Sequence, residues 1–407
     1  MSSLKHWIWL SQLDGIGTVT ARHLLDHFIT AEALYNAEES AYTDSGLVSP
    51  ADIKKLMNKD LLPANKVLAS CVETGCRILT IHSRRYPDYL KNIYGPPLVL
   101  YCKGTLPHID DEVVVAVVGT RKCTPYGLTA AESIGYRLSS NGIVVATGLA
   151  RGIDSAATRG ALRGDKPVIG VIGTGIDVIY PPENRALYED VAANGIIISE
   201  YPPGTHPSKC NFPMRNRILG GISKGVTVIE APEKSGALIT ARLALDHGRD
   251  VFSLPGNVDA FTCVGSNQLL QEGASAILSA DDILKEYAKS YPGKVTEAVR
   301  NEPYIPDDTE MPPLIEMPRS KKVIDNTPEV DYIDNVRKRF VFDMLIGRLD
   351  GDEKLVAEAI GEQTRHVDDI IVRSGLHAQQ VLTALTMLEI NGFVCGENRY
   401  YSLAEPA

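Results

Sequence analysis

The sequence predicts an α/β protein: one doubly wound, mostly parallel sheet, with a small helical domain before it and a winged-helix-like domain after it. Three observations lead there. Six short Val/Ile-rich runs, at 113–118, 143–146, 168–172, 196–199, 226–229 and 251–254, alternate with helical patterns. Their near-continuous apolar content suits strands covered on both faces, as parallel strands are. Each run ends in a turn rich in Gly, Pro or Arg, among them Gly119-Thr120-Arg121, Gly148 to Asp154, Gly173 to Asp177 and Pro232 to Gly236. In a Rossmann-like sheet such turns gather along the carboxyl edge, where ligands bind. Short crossovers with right-handed connections complete the doubly wound reading.

Residues 1–75 read as helical, with Leu4, Trp7, Ile8, Leu10 and Leu13 near helical spacing, then Leu24, Leu25 and Phe28. Between them Leu13-Asp14-Gly15-Ile16-Gly17 is similar to the glycine turn of a helix-hairpin-helix module, and equally reads as a tight helix–helix connection. The sheet domain is assigned to 76–288. Its first part, 78–104, contains Gly95-Pro96-Pro97 and the strand-like Leu98-Val99-Leu100-Tyr101, an extended lead-in expected to pack onto the main sheet. Helical patterns lie at 130–139, 155–162 and 237–247. Residues 289–332 are acidic and proline-rich, with Pro303, Pro306, Pro312, Pro313, Pro318 and Pro328, and read as a linker. Residues 333–407 end in helices and a glycine-turned hairpin, the outline of a winged helix. Its expected third helix, 376–390, has no Lys or Arg, and base readers in the major groove bring Arg, Lys, Asn or Gln. Gln379 and Gln380 alone argue thinly for DNA, so protein contact is the reading preferred for this domain.

Composition narrows the function. At 44% apolar and 23% charged residues, the 407-residue chain suits two or three folded domains rather than a disordered one. No apolar run is long enough for a bilayer, and Met1-Ser2-Ser3-Leu4-Lys5-His6-Trp7 is too short and aromatic for a secretory signal. Seven cysteines without a Cys-x-x-Cys pair suit a reducing cytoplasm and give no zinc site. The net charge of −10 opposes nucleic acid only superficially, because residues 113–287 hold 16 Lys/Arg against 17 Asp/Glu. No cofactor or metal is expected: His206 and Cys210 lack a third ligand.

The turns supply arginines but few nucleophiles, which favours a phosphate-backbone grip over a catalytic pocket. Arg121 stands where a dinucleotide turn would carry its second glycine, so it reads as a guanidinium aimed at phosphate from the sheet edge. In Phe212-Pro213-Met214-Arg215-Asn216-Arg217, Pro213 suits a first helical turn. That places Arg215 and Arg217 at a helix N-terminus, against the dipole, unless an anion or acid neutralises them. Arg151 lies in the same family of turns. Asp154 reads as the cap of a helix beginning at Ser155. Glu200 and Glu230 end two strands without a nucleophile partner and are expected to pair with the arginines. Ser235 and Gly236 open a helix whose N–H groups suit a second phosphate.

Together these motifs resemble the DNA-processing protein A (DprA/Smf) family. The resembling pieces include Val118-Gly119-Thr120-Arg121, Thr147 through Asp154, Gly173-Thr174-Gly175-Ile176-Asp177, Phe212 through Arg217, Ser235 through Ala241 and Gly265-Ser266-Asn267-Gln268. The resemblance implies a non-catalytic single-stranded DNA-binding recombination mediator of the bacterial cytoplasm. Such a protein protects incoming DNA in natural transformation, helps load the RecA recombinase and forms a homodimer. It implies that Arg121, Lys122, Arg151, Arg215 and Arg217 contact phosphates, while Gly119, Gly148, Gly152, Gly173, Gly175, Asn216, Ser235 and Gly236 shape the pocket. With only Tyr126, Tyr180, Tyr201 and Phe212 near the edge, base stacking is expected to be secondary. The competing class is a nucleotide-processing enzyme related to the lysine-decarboxylase-like phosphoribohydrolases. Their glycine-rich Pro-Gly-Gly motif is replaced here by Ser235-Gly236-Ala237-Leu238.

Overall fold

The computed structural model describes residues 4–105, 107–297, 349, 351–361, 364–390, 394–397 and 400–403. Beyond residue 297, the linker expected at 289–332 lies outside the described residues. The chain divides into two compact units, residues 1–313 and 314–407.

The first unit is built on a nine-stranded sheet: β1 (Arg77–Thr80), β2 (Val99–Gly104), β3 (Val113–Val118), β4 (Ile143–Thr147), β5 (Val168–Ile172), β6 (Gly195–Ser199), β7 (Gly225–Val228), β8 (Asp250–Ser253) and β9 (Ser275–Ala276). Their order is β1-β2-β6-β5-β4-β3-β7-β8-β9. From β6 to β9 all neighbours are parallel, whereas β2 pairs antiparallel with β6 and β1 with β2. The lead-in therefore does not merely pack on the sheet. Tyr101 to Gly104 hydrogen-bond into it against Ile196 to Ser199. The strand-like run expected at 98–101 covers the start of β2, which extends to Gly104.

The period-2 rule explains the unbroken valines of β3. Val114, Ala116 and Val118 enter one core cluster, Val113, Val115 and Val117 the other. Six helices between Leu4 and Glu73 precede the sheet. Their buried Trp7, Ile8, Trp9, Leu10, Leu24 and Leu25 join the first cluster without a break. The turn at Gly15, φ +77°, connects helix Leu4–Ser11 to helix Thr18–Phe28. A Cβ there would lie 2.6 Å from Lys55 Nζ, so the turn is closed over by a neighbouring helix.

The second unit has helices Gly351–Ile360, Val367–Ser374 and Ala378–Ile390 and a three-stranded sheet. β10 (Arg365–His366) joins the expected hairpin of β11 (Val394–Glu397) and β12 (Tyr400–Leu403), in the order β10-β12-β11. Val356, Ile360, Ile370, Val381, Leu385 and Leu388 form its core. Among the described residues no helix is long and apolar enough to cross a membrane.

Candidate nucleic-acid interface

The chain lays down β3 to β6 in one direction, then returns to place β7 to β9 on the other side of β3. The reversal lies between β3 and β7, the position at which open α/β sheets bind ligands. Thr120 N donates to Glu230 O at 2.7 Å and ties the two turns there together. Glu230, 1% exposed, accepts hydrogen bonds from Thr124 N at 2.9 Å and from Thr124 Oγ1. It thereby anchors the start of helix Pro125–Ser140 and, contrary to expectation, pairs with no arginine among the described residues.

The glycines let chain pack on chain. A Cβ at Gly119 would meet Ile153 Cγ1 at 2.6 Å, and one at Gly148 would meet Asp154 Oδ2 at 2.6 Å. Gly152, φ +73°, places its α-carbon where a Cβ would lie 2.5 Å from Thr120 O. Gly173 faces Phe212 and Gly175 faces the Pro202–Gly204 turn, with 3.1 and 2.7 Å of room. Gly236 alone of these is open, its nearest neighbour being Asn216 Nδ2 at 3.9 Å. Ser235 caps its helix by accepting from Ala237 N. Asn216 Nδ2 donates to Gly236 O at 3.1 Å.

The 148–154 turn is held with unusual force. Leu149 has φ +50° and is buried, plugging the space above Gly170. A non-glycine residue persists in that region only where its surroundings over-determine it, typically beside a functional site. Asn184 Nδ2 donates to Leu149 O and Ser155 Oγ, both at 2.9 Å. Nothing in the sequence around Pro182-Glu183-Asn184 signalled this brace. Asp154 is not the cap of its own helix, which runs Ile153–Leu162 with Gly152 at the N-cap. Its buried carboxylate accepts from Gly148 N at 3.0 Å. Burial pushes its pKa up, against the opposing pull of Arg215 and the backbone N–H groups.

The five expected phosphate contacts separate. Arg121 is exposed, lies 5.3 Å over the Phe212 ring and has no carboxylate partner among the described residues. Lys122 beside it is exposed too. Arg151 is half exposed and paired with Glu183. Arg215 and Arg217 are 5% and 3% exposed. Both sit in the middle of helix Asn211–Ile222 instead of at its N-terminus, because the helix starts two residues before Pro213. Arg215 Nη1 donates to Gly148 O at 2.7 Å and to Val171 O, and burial lowers its pKa to about 10. Arg217 Nη2 reaches both oxygens of Glu200, at 2.6 and 2.7 Å. Both guanidiniums are thus engaged with protein, Arg215 with backbone carbonyls and Arg217 with Glu200.

Arg121, Gly148, Arg151, Tyr180, Phe212 and Arg215 line one cleft. The Tyr180 and Phe212 rings lie 5.5 Å apart, tilted by 37°. Its free volume of about 10 Å³ scarcely admits one water. The feature is a cationic and aromatic seam on the surface rather than a chamber for a small molecule.

The family described as DNA recombination-mediator protein A matches residues 77–288, and the DprA winged helix domain matches 345–397. The chain is 34% identical over 406 residues to Protein Smf of Synechocystis sp., covering 97% of both chains. It is 42% identical over 221 residues to DNA processing protein DprA of Bacillus subtilis, covering 54% of this chain and 74% of that one. The X-ray structure of DNA processing protein A from Streptococcus pneumoniae superimposes with TM-score 0.62 at 34% identity, over 69% of this chain and 97% of that chain. With sheet and tail both matched and a relative aligned along nearly its whole length, the chain belongs to the DNA recombination-mediator protein A (DprA/Smf) family.

Proposed function

We propose that this protein is a non-catalytic mediator of DNA recombination that grips single-stranded DNA by its phosphates along the carboxyl edge of the sheet. The observation that carries this is the exposed Arg121, free of any acid among the described residues, stacked on Phe212 beside the strand-order reversal. Arg121 and Lys122 meet the backbone directly. Arg151 joins by exchanging Glu183 for a phosphate, since an exposed ion pair is worth at most about 1 kcal/mol. Arg215 holds the β4 and β5 turns in place and adds positive potential from beneath. Phe212 and Tyr180 offer ring faces to bases without reading sequence. The narrow cleft favours this over the phosphoribohydrolase reading, because a nucleotide pocket needs roughly 300 Å³ or more.

In this reading the protein acts in the cytoplasm as a homodimer, protects incoming strands during natural transformation and hands them to RecA. The tail supports a protein contact. Helix Ala378–Ile390 presents Gln379, Gln380 and Thr383 beside Asp352 and Glu353, a setting that repels DNA phosphates. The test is the rate at which RecA nucleates on a single strand already coated by single-strand-binding protein. Acceleration by the intact protein, lost with Arg121→Ala, is expected. No acceleration at saturating strand occupancy would refute the mediator role.

A further inference from the structure

A second pocket lies at the opposite, amino-terminal edge of the sheet. Lys224 and Arg249 immediately precede β7 and β8, and Asp250 N donates to Lys224 O at 3.2 Å, so these neighbouring strands bring both cations together. Lys224 Nζ stands 3.3 Å from the centre of the Tyr89 ring and 5.6 Å from that of Tyr291. The Arg249 guanidinium stacks 4.2 Å from the same Tyr89 ring and donates to Tyr89 O at 3.2 Å. Its Nε is buried without a hydrogen-bond partner.

Two like charges on one ring repel each other, and neither has a carboxylate within ion-pair distance among the described residues. Asp250 lines the same pocket, but its Oδ2 accepts from Tyr287 Oη at 2.8 Å. Glu286 also lines the pocket and is exposed. The cavity of about 170 Å³ is large enough for a phosphate and too small for a whole drug-sized molecule. Its aromatic wall gives a base a surface to lie on, the combination by which single strands are held without sequence preference.

We propose that this pocket is a second contact for a single-stranded nucleic acid, with one phosphate between Lys224 and Arg249 and the adjoining base against Tyr291. The inference rests on the proposed strand-binding function and extends it to the other side of the sheet. A strand engaged at the carboxyl-edge cleft would then continue around the domain instead of leaving it.

The test is fluorescence anisotropy of labelled oligo-dT of about 6 and about 30 nucleotides, within and beyond the roughly 4–16 nucleotides that one site engages. Parent, Lys224→Gln, Tyr291→Leu and Arg121→Ala proteins are compared after thermal melts establish that each is folded. Lys224→Gln and Tyr291→Leu are expected to bind the long strand roughly fivefold or more weaker, the scale of one lost base contact. They should bind the short strand as the parent does. Equal long-strand affinity in parent and both variants would overturn the second contact. Displacement of neither length by millimolar dTMP is expected, and a Lys224-dependent dTMP complex with long-strand affinity unchanged would assign the pocket to free nucleotide instead. An Arg121→Ala protein that binds the short strand normally would refute the cleft, a separate result from any effect at Lys224.

Discussion

Arg121 and Arg217 bear the same charge, and the fold uses them in opposite ways. Arg121→Ala removes an exposed cation that braces nothing but a ring face, so its unfolding midpoint should stay within experimental error of the parent's. Arg217→Ala leaves Glu200 without the Nη2 donor that reaches both its oxygens, in a mostly buried setting. Breaking such a pair costs about 3 kcal/mol, measurable by urea unfolding. The resemblance implies that both contact phosphate, but Arg217 is 3% exposed and held by Glu200 while Arg121 is open. That difference was not legible in the sequence, since burial is decided by what packs over a helix and not by its own residues. Lys59 gives a pH-dependent check on the helical layer. Its ammonium lies 4.9 to 5.3 Å from the ring centres of Trp9, Tyr35 and Tyr42, and burial lowers its pKa to about 8. A lysine with a depressed folded pKa contributes stability that is complete above its unfolded pKa and lost as pH falls through the folded one. The Tyr42 hydroxyl, pushed up to about 12, stays neutral over that range. Thermal stability should therefore gain a rising component between pH 8 and 10 that Lys59→Met lacks, and identical pH profiles would contradict it.

Elements were legible in proportion to how far their own residues decide them. Strands β3 to β8 showed clearly because burial on both faces leaves short runs made mostly of apolar residues, Val and Ile above all. The close crossing of helices Pro125–Ser140 and Ile153–Leu162 did not, although its cause is written at two positions. A Cβ at Gly135 would enter the Ala157 carbonyl, and one at Gly160 the Glu132 carbonyl. Each glycine lies inside a helix, where it costs roughly 1 kcal/mol against alanine. The backbone contact explains why both are kept. Gly160→Ala should therefore destabilise by about 1–3 kcal/mol despite its better helix propensity, the scale of an overpacked core. Gly236→Ala is the counterpart, because its nearest neighbour is 3.9 Å away and the stability should change by no more than about 0.5 kcal/mol. Urea midpoints decide both. A stabilised Gly160→Ala protein would mean that the helices can separate freely.

Across the whole molecule, the proposed function asks a chain of net charge −10 to hold a polyanion, so the proposed grip is a local one. The sheet would make it local by gathering the turns after β3, β4 and β5 along its carboxyl edge, next to the reversal between β3 and β7, with Arg121 at their rim and no carboxylate paired to it among the described residues. That gathering was visible from the spacing of strands and turns. Strand β1, the antiparallel pairing of β2 with β6 and the brace at Asn184 were not, since each depends on partners far along the chain. A phosphate-backbone grip centred on Arg121 is decided by anisotropy of a labelled single strand across a salt series, for parent and Arg121→Ala. Log affinity should fall linearly with log salt, by about 0.7 per phosphate neutralised, on oligo-dT and mixed sequences alike. In Arg121→Ala the slope should be shallower by about one such increment and the affinity lower on every sequence. Equal slopes and affinities in the two proteins would rule out Arg121 as the centre of that grip.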